Sequence, residues 1–101
     1  MGEYIISQPA IRDLELISSY FAEINIEAGE RFLQGFSNRC QQLTSFPNIG
    51  RTYDDLQIGL RGLPLDGYII LYRVTNNGVE IVRVVNGRQD LQSLFDQSDE
   101  V

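Results

Sequence analysis

The chain has 101 residues, 43% of them apolar, and a formal charge of −6, which fits one domain with its own core. All eight cations are arginine, lysine and histidine are absent, and Cys40 is the single cysteine. These counts exclude an internal disulfide, a Cys/His zinc site and any Ser-His-Asp or Cys-His catalytic site, and the acidic balance argues against nonspecific coating of nucleic acid. No run of about 18 apolar residues could cross a bilayer. Met1-Gly2-Glu3 lacks the basic start of a secretory signal, so a cytoplasmic protein without metal or cofactor is expected.

Glu3 to Ser7 reads as a short strand, and Ser7 as the cap of a helix with Pro9 in its first turn. Ala10, Leu14, Ile17, Phe21 and Ile24 then form one apolar helical stripe. Asn25 caps a second helix to about Phe46. Its apolar set of Ala28, Phe32, Leu33, Phe36, Cys40, Leu43 and Phe46 covers about 140° of the wheel, against a usual stripe of roughly 100°. This width predicts packing against more than one neighbour. The two helices form an antiparallel hairpin.

Pro47 to Gly50 ends the second helix, and beyond it the apolar period changes to two. Leu56, Ile58 and Leu60 alternate with Gln57, Gly59 and Arg61, which predicts a strand whose edge or end is marked by Pro64. Asp66-Gly67 is a turn, Tyr68–Val74 a strand, Asn76-Asn77-Gly78 a hairpin turn and Val79–Val85 a further strand. The last two strands are apolar on both faces and should be central. Residues 88–96 are expected to form a last helix through Leu91, Leu94 and Phe95. The order β-α-α-β-β-β-α is that of an α+β domain with a largely antiparallel sheet. One domain is expected over 1–95, with an acidic tail that frays over 96–101.

Several strings in this order resemble the ParE side of the RelE/ParE superfamily of type II toxin–antitoxin, or plasmid-stabilisation, modules. They are Ser7-x-x-Ala10-x-x-Asp13-Leu14-x-x-Ile17-x-x-Tyr20, Phe46 to Arg51, Gly59 to Pro64, Tyr68 to Val74, and Ile81 to Leu91. The resemblance spans about residues 4 to 95 and implies the RelE/ParE-like fold, including its strand order. It also implies a protein antitoxin, ParD-like, that neutralises the chain, and a target. For ParE-like members the target is DNA gyrase, inhibited by binding; for RelE-like members it is mRNA on the ribosome, which is cut. The resemblance leaves room for a homodimer and predicts no direct sequence-specific binding of nucleic acid.

Cleavage of RNA through its 2′-OH needs a base, an acid and cations around the phosphate. RelE-like toxins use several Lys and Arg with a Tyr or His near the C-terminal end. Here Lys and His are absent, the last tyrosine is Tyr72, and Asn86 stands where related chains often carry His. The chain is therefore read as a gyrase inhibitor with no catalytic residue. The alternatives are an arginine-based ribosome-dependent endoribonuclease and a degenerate member that only binds its antitoxin.

Residues 56–88 hold four arginines against two acids, while the rest of the chain has a net charge of −8. Arg61, Arg73, Arg83 and Arg88, with Asp90 in the turn into the last helix, are the target-facing candidates, because arginine suits bidentate pairing with partner carboxylates. Structural roles compete with that assignment. Arg73 is expected to form a salt bridge to Glu80 or Asp66 or to snorkel out of the sheet, and Arg51 to cap carbonyls or pair with Asp54 or Asp55. Asp13 reads as a solvated or structural group, Cys40 as an inert core residue, and Tyr68 and Tyr72 as packing residues. Leu16, Tyr20 and Leu33 lie near or beyond the core stripes and are candidates for an antitoxin groove.

Overall fold

A computed structural model describes residues 2–99, with side chains through Phe95. The elements are β1 (Glu3–Ile6), α1 (Gln8–Ile24), α2 (Ile26–Ser45), β2 (Arg51–Thr52), β3 (Leu60–Leu65), β4 (Tyr68–Val74), β5 (Gly78–Asn86) and α3 (Leu91–Asp99). One five-stranded sheet has the order β1-β5-β4-β3-β2. β1 runs parallel to β5 and every other pair is antiparallel. The two double-sided apolar strands, β4 and β5, are interior, as expected.

Caps fix where the helices begin. The Ser7 hydroxyl accepts from the Ala10 N–H and donates to the Val82 carbonyl, so it caps α1 and ties it to β5. Asn25 closes α1 and opens α2, accepting from the Ala28 N–H, which makes the helical hairpin a one-residue join. At the far edge, Gly78 pairs with Glu3 at φ +155°, and a Cβ there would sit 1.8 Å from the Glu3 carbonyl oxygen. Only glycine lets β1 approach β5 this closely.

The sheet separates two cores. Ala10, Ile17, Phe32, Phe36, Cys40 and Leu43 of the helical hairpin pack on Ile70, Tyr72, Val79, Ile81 and Val84. On the other face α3 packs Phe95 against Leu60, Leu71 and Val85. Helix α2 contacts α1, β1, β3 and β5, as its wide apolar arc predicted.

Several expectations shift. Ile24, Leu33 and Phe46 are exposed (60%, 44% and 60%), so both buried stripes are narrower than their apolar patterns. Leu56 to Gly59 is a turn, not a strand. The Leu56 and Gln57 N–H groups donate to the Tyr53 carbonyl and the Gly59 N–H to Asp54 Oδ1, so local bonds satisfy the backbone before β3 starts. Ile58 is consequently 88% exposed. Pro64 lies in β3 beyond the two-residue reach of β2, where a missing N–H costs no ladder bond on that side. Helix α3 begins at Leu91 rather than 88 and runs to Asp99, into the segment expected as a fraying tail. The rest of that tail, residues 100–101, lies outside the described residues.

Candidate functional site

Cross-strand register distributes the sheet arginines. Arg61 is opposite Tyr72 and shares its face, the one under the helical hairpin; Arg73 is opposite Leu60 and shares the face under α3. The two are therefore not one cationic surface. Arg61 Nη1 donates to the Asn48 and Gly50 carbonyls at 3.0 and 2.8 Å, holding the loop after α2. Arg73 makes no ion pair with Glu80 or Asp66; its terminal nitrogen donates to the Gln57 side chain instead. The turn that replaced the expected strand is what brings Gln57 there. Arg51 pairs with neither Asp54 nor Asp55; its guanidinium lies 4.9 Å from the Tyr53 ring centroid.

Arg83 is placed by an irregularity in β5. Leu71 pairs with Arg83 but Tyr72 pairs with Ile81, so Val82 is an extra residue. The bulge leaves Val82 and Val85 in the α3-side core and Val84 in the helix-side core. Arg83 reaches Asp13 of α1 through Nε at 2.7 Å and Nη2 at 3.0 Å, and Asp13 also accepts from the Val84 N–H at 2.9 Å. The bond to Asp13 holds the guanidinium still more firmly protonated than usual, against a smaller opposing effect of burial. Asp13 was missed as a site residue. The sequence did carry a signal, because at i+3 from Ala10 and i−4 from Ile17 it lies on the buried stripe of α1.

Arg83 stands between two depressions. One, of ≈ 350 Å³, lies between α1 and the end of β5, where Leu16, Tyr20 and Tyr68 meet Arg83, Asn86 and Gln89. It joins two antitoxin candidates to a target-facing one; Leu33, on α2, is not part of it. The other, of ≈ 240 Å³, lies under α3 and brings Arg73 and Arg83 together. Arg88 and Asp90 sit in the exposed turn between β5 and α3. Asp90 accepts from the Ser93 hydroxyl at 2.8 Å and from its N–H at 3.5 Å, as the cap of α3. The Arg88 guanidinium has no partner among the described residues.

The topology and these positions can be set beside known proteins. Residues 4–91 match the family described as the ParE toxin of the type II toxin-antitoxin system, parDE. The chain belongs to the ParE toxin family. Toxin ParE3 of Caulobacter vibrioides is 30% identical over 92 residues, covering 90% of this chain and 92% of the relative. A solved structure titled as a chromosomal ParDE TA system from P. aeruginosa superposes with a TM-score of 0.71 at 21% identity, covering 85% of this chain and 96% of that one, which shows the shared fold.

ParE membership makes the chain the toxin type of a ParDE system and implies an antitoxin partner. The match ends at Leu91, so most of α3, including Phe95 over the sheet, lies beyond it. No helix among the described residues is long and apolar enough to cross a membrane, and no group of three or more His, Cys, Asp or Glu among them could hold a metal.

Proposed function

We propose that this ParE-family toxin acts in the cytoplasm by binding DNA gyrase, and that a ParD-like antitoxin holds it inactive. The observation that carries the reading is the family match over 4–91. The bonding of the arginines supports it. A phosphate clamp for RNA cleavage would draw on Arg61 and Arg83, yet these are engaged with loop carbonyls and with Asp13. Among the target-facing candidates, Arg88 is exposed on the turn leaving β5 with its guanidinium unpaired among the described residues, and arginine is a frequent interface anchor.

The test is DNA supercoiling by gyrase in the presence of the purified chain. Loss of supercoiling, or gyrase-dependent DNA breaks, relieved by the antitoxin, is the expected result. Unimpaired supercoiling together with cut mRNA on translating ribosomes would overturn the reading.

A further inference from the structure

Arg73 lies on an interior strand, and its Nε is buried with no hydrogen-bond acceptor among the described residues. A guanidinium is always charged and carries five donors. One of its terminal nitrogens is met by Gln57. Glu80 stands opposite it in the register, but Arg83–Asp13 is the ion pair found among the described residues. Buried donors are seldom left without acceptors in native proteins, so an unmet one points to something that binds there.

The space beside it is built for a small anion. Arg73 and Arg83 line the same ≈ 240 Å³ cavity, and none of its described lining residues is an acid. Much of the remaining wall is apolar, from Pro9, Val82, Leu94 and Phe95. This volume is below the roughly 300–1,000 Å³ of cofactor and drug-sized pockets, so it suits one functional group on a short stem. The charge of Arg83 is balanced by Asp13, so Arg73 supplies the open charge, and against an apolar wall it acts in a lower dielectric than water, which strengthens its pull on an anion.

We propose that this cavity is a carboxylate-binding site that receives an acidic side chain of a partner protein, with Arg73 as its main donor. A carboxylate offers two oxygens to the planar guanidinium fork, and the apolar wall covers the methylene stem. A phosphate would call on a second open fork, and that of Arg83 is already closed on Asp13. The net charge of −6 also disfavours a polyanion. The site does not depend on which protein the toxin attacks.

The experiment follows the arginine side-chain Nε–H signals of the full chain by NMR, with isotope-labelled arginine. N-acetyl-glutamate α-amide, whose free acid is the side-chain carboxylate, is titrated in. Inorganic phosphate and sodium chloride are titrated separately at matched ionic strength. The expected result is a saturable shift of the Arg73 signal with the carboxylate. Arg73→Gln should weaken the binding about 10-fold, the loss of one charge-assisted bond, and Arg31→Gln, on the exposed side of α2, should leave it unchanged. The unsubstituted chain decides the matter even if Arg73→Gln does not fold. An Arg73 signal that moves no further with carboxylate than with chloride overturns the site, and one that responds to phosphate at lower concentration overturns the carboxylate assignment.

Discussion

Asp13 and Arg83, 70 residues apart in sequence, lock α1 to β5 through two side-chain bonds, and the same carboxylate takes the Val84 N–H. The pair joins the bulge in the sheet to the helical layer. Asp13→Ala removes all three bonds. Because the arginine side chain keeps 30% of its exposure, water can restore part of what it loses, so the expected cost is about 2 kcal/mol. Asp13→Asn retains an acceptor for the Val84 N–H and should cost about 1 kcal/mol. Urea unfolding should show both as lower midpoints at unchanged slope; equal stability of the Ala variant and the unsubstituted chain would refute the lock.

The helices, β4, β5 and their turns were legible in the sequence because the signals are local: Ser7 and Asn25 as caps, Asn76-Asn77-Gly78 as a turn, and continuous apolar runs for interior strands. What was not legible depends on distant pairing. The alternation of Leu56, Ile58 and Leu60 looks like a strand, but the bonds to Tyr53 and Asp54 capture it as a turn. The β5 bulge has no signature in a run of valines and isoleucines, and it decides where Arg83 points. The excess of arginine over residues 56–88 is plain in the sequence. Register then put Arg61 and Arg73 on opposite faces.

Tyr72 does more than pack. Its hydroxyl donates to the Pro47 carbonyl at 2.7 Å and accepts from the Gly50 N–H at 2.9 Å, pinning the turn after α2 to the central strand. Tyr72→Phe leaves both backbone groups without that partner and should cost about 1–3 kcal/mol. A Cβ on Gly50 would lie 2.5 Å from the Tyr72 oxygen and 2.9 Å from the Gly62 carbonyl, so Gly50→Ala should also destabilise. The two changes act on one contact. Their combined loss in thermal unfolding should therefore fall short of the sum, and strict additivity would count against the latch.

Alkaline pH should weaken the fold through the same residue. Burial pushes the Tyr72 hydroxyl above its ordinary value of 10.0, against smaller lowering effects from the Gly50 N–H and Arg61, and burial raises Tyr68 as well. A raised acid holds its proton in the folded state after the unfolded chain has released it, so stability is complete below pH 10.0 and declines as pH climbs toward the folded values. Tyr72→Phe should flatten part of this decline in unfolding free energy measured across that range. An unchanged slope would mean that Tyr72 is not among the groups responsible.

Cys40 is fully buried in the helix-side core, and burial pushes its thiol up to about 12 from 9.0. Three pH units leave about a thousandfold less thiolate at neutral pH, and the packing of α2 blocks access as well. The native chain should resist a thiol reagent such as dithionitrobenzoate, whereas urea-unfolded chain should react within minutes. Fast labelling of the folded protein would show that α2 opens readily.

Leu16 and Tyr20 are 70% and 56% exposed on α1, yet they line the ≈ 350 Å³ cleft with Arg83, Asn86 and Gln89. A cleft lined by both apolar and polar side chains suits an amphipathic segment of the antitoxin, which would bury Leu16 and Tyr20 at about 25 cal/mol per Å² of apolar area. Leu16→Glu should change the unfolding free energy by no more than about 0.5 kcal/mol, because the side chain contributes little to the core. It should nevertheless weaken antitoxin binding at least ~10-fold, the equivalent of 1.4 kcal/mol. Leu33→Glu, on α2 and outside the cleft, separates a local groove from a footprint spanning both helices. If calorimetry finds antitoxin affinity unaltered by Leu16→Glu, the antitoxin does not use this cleft.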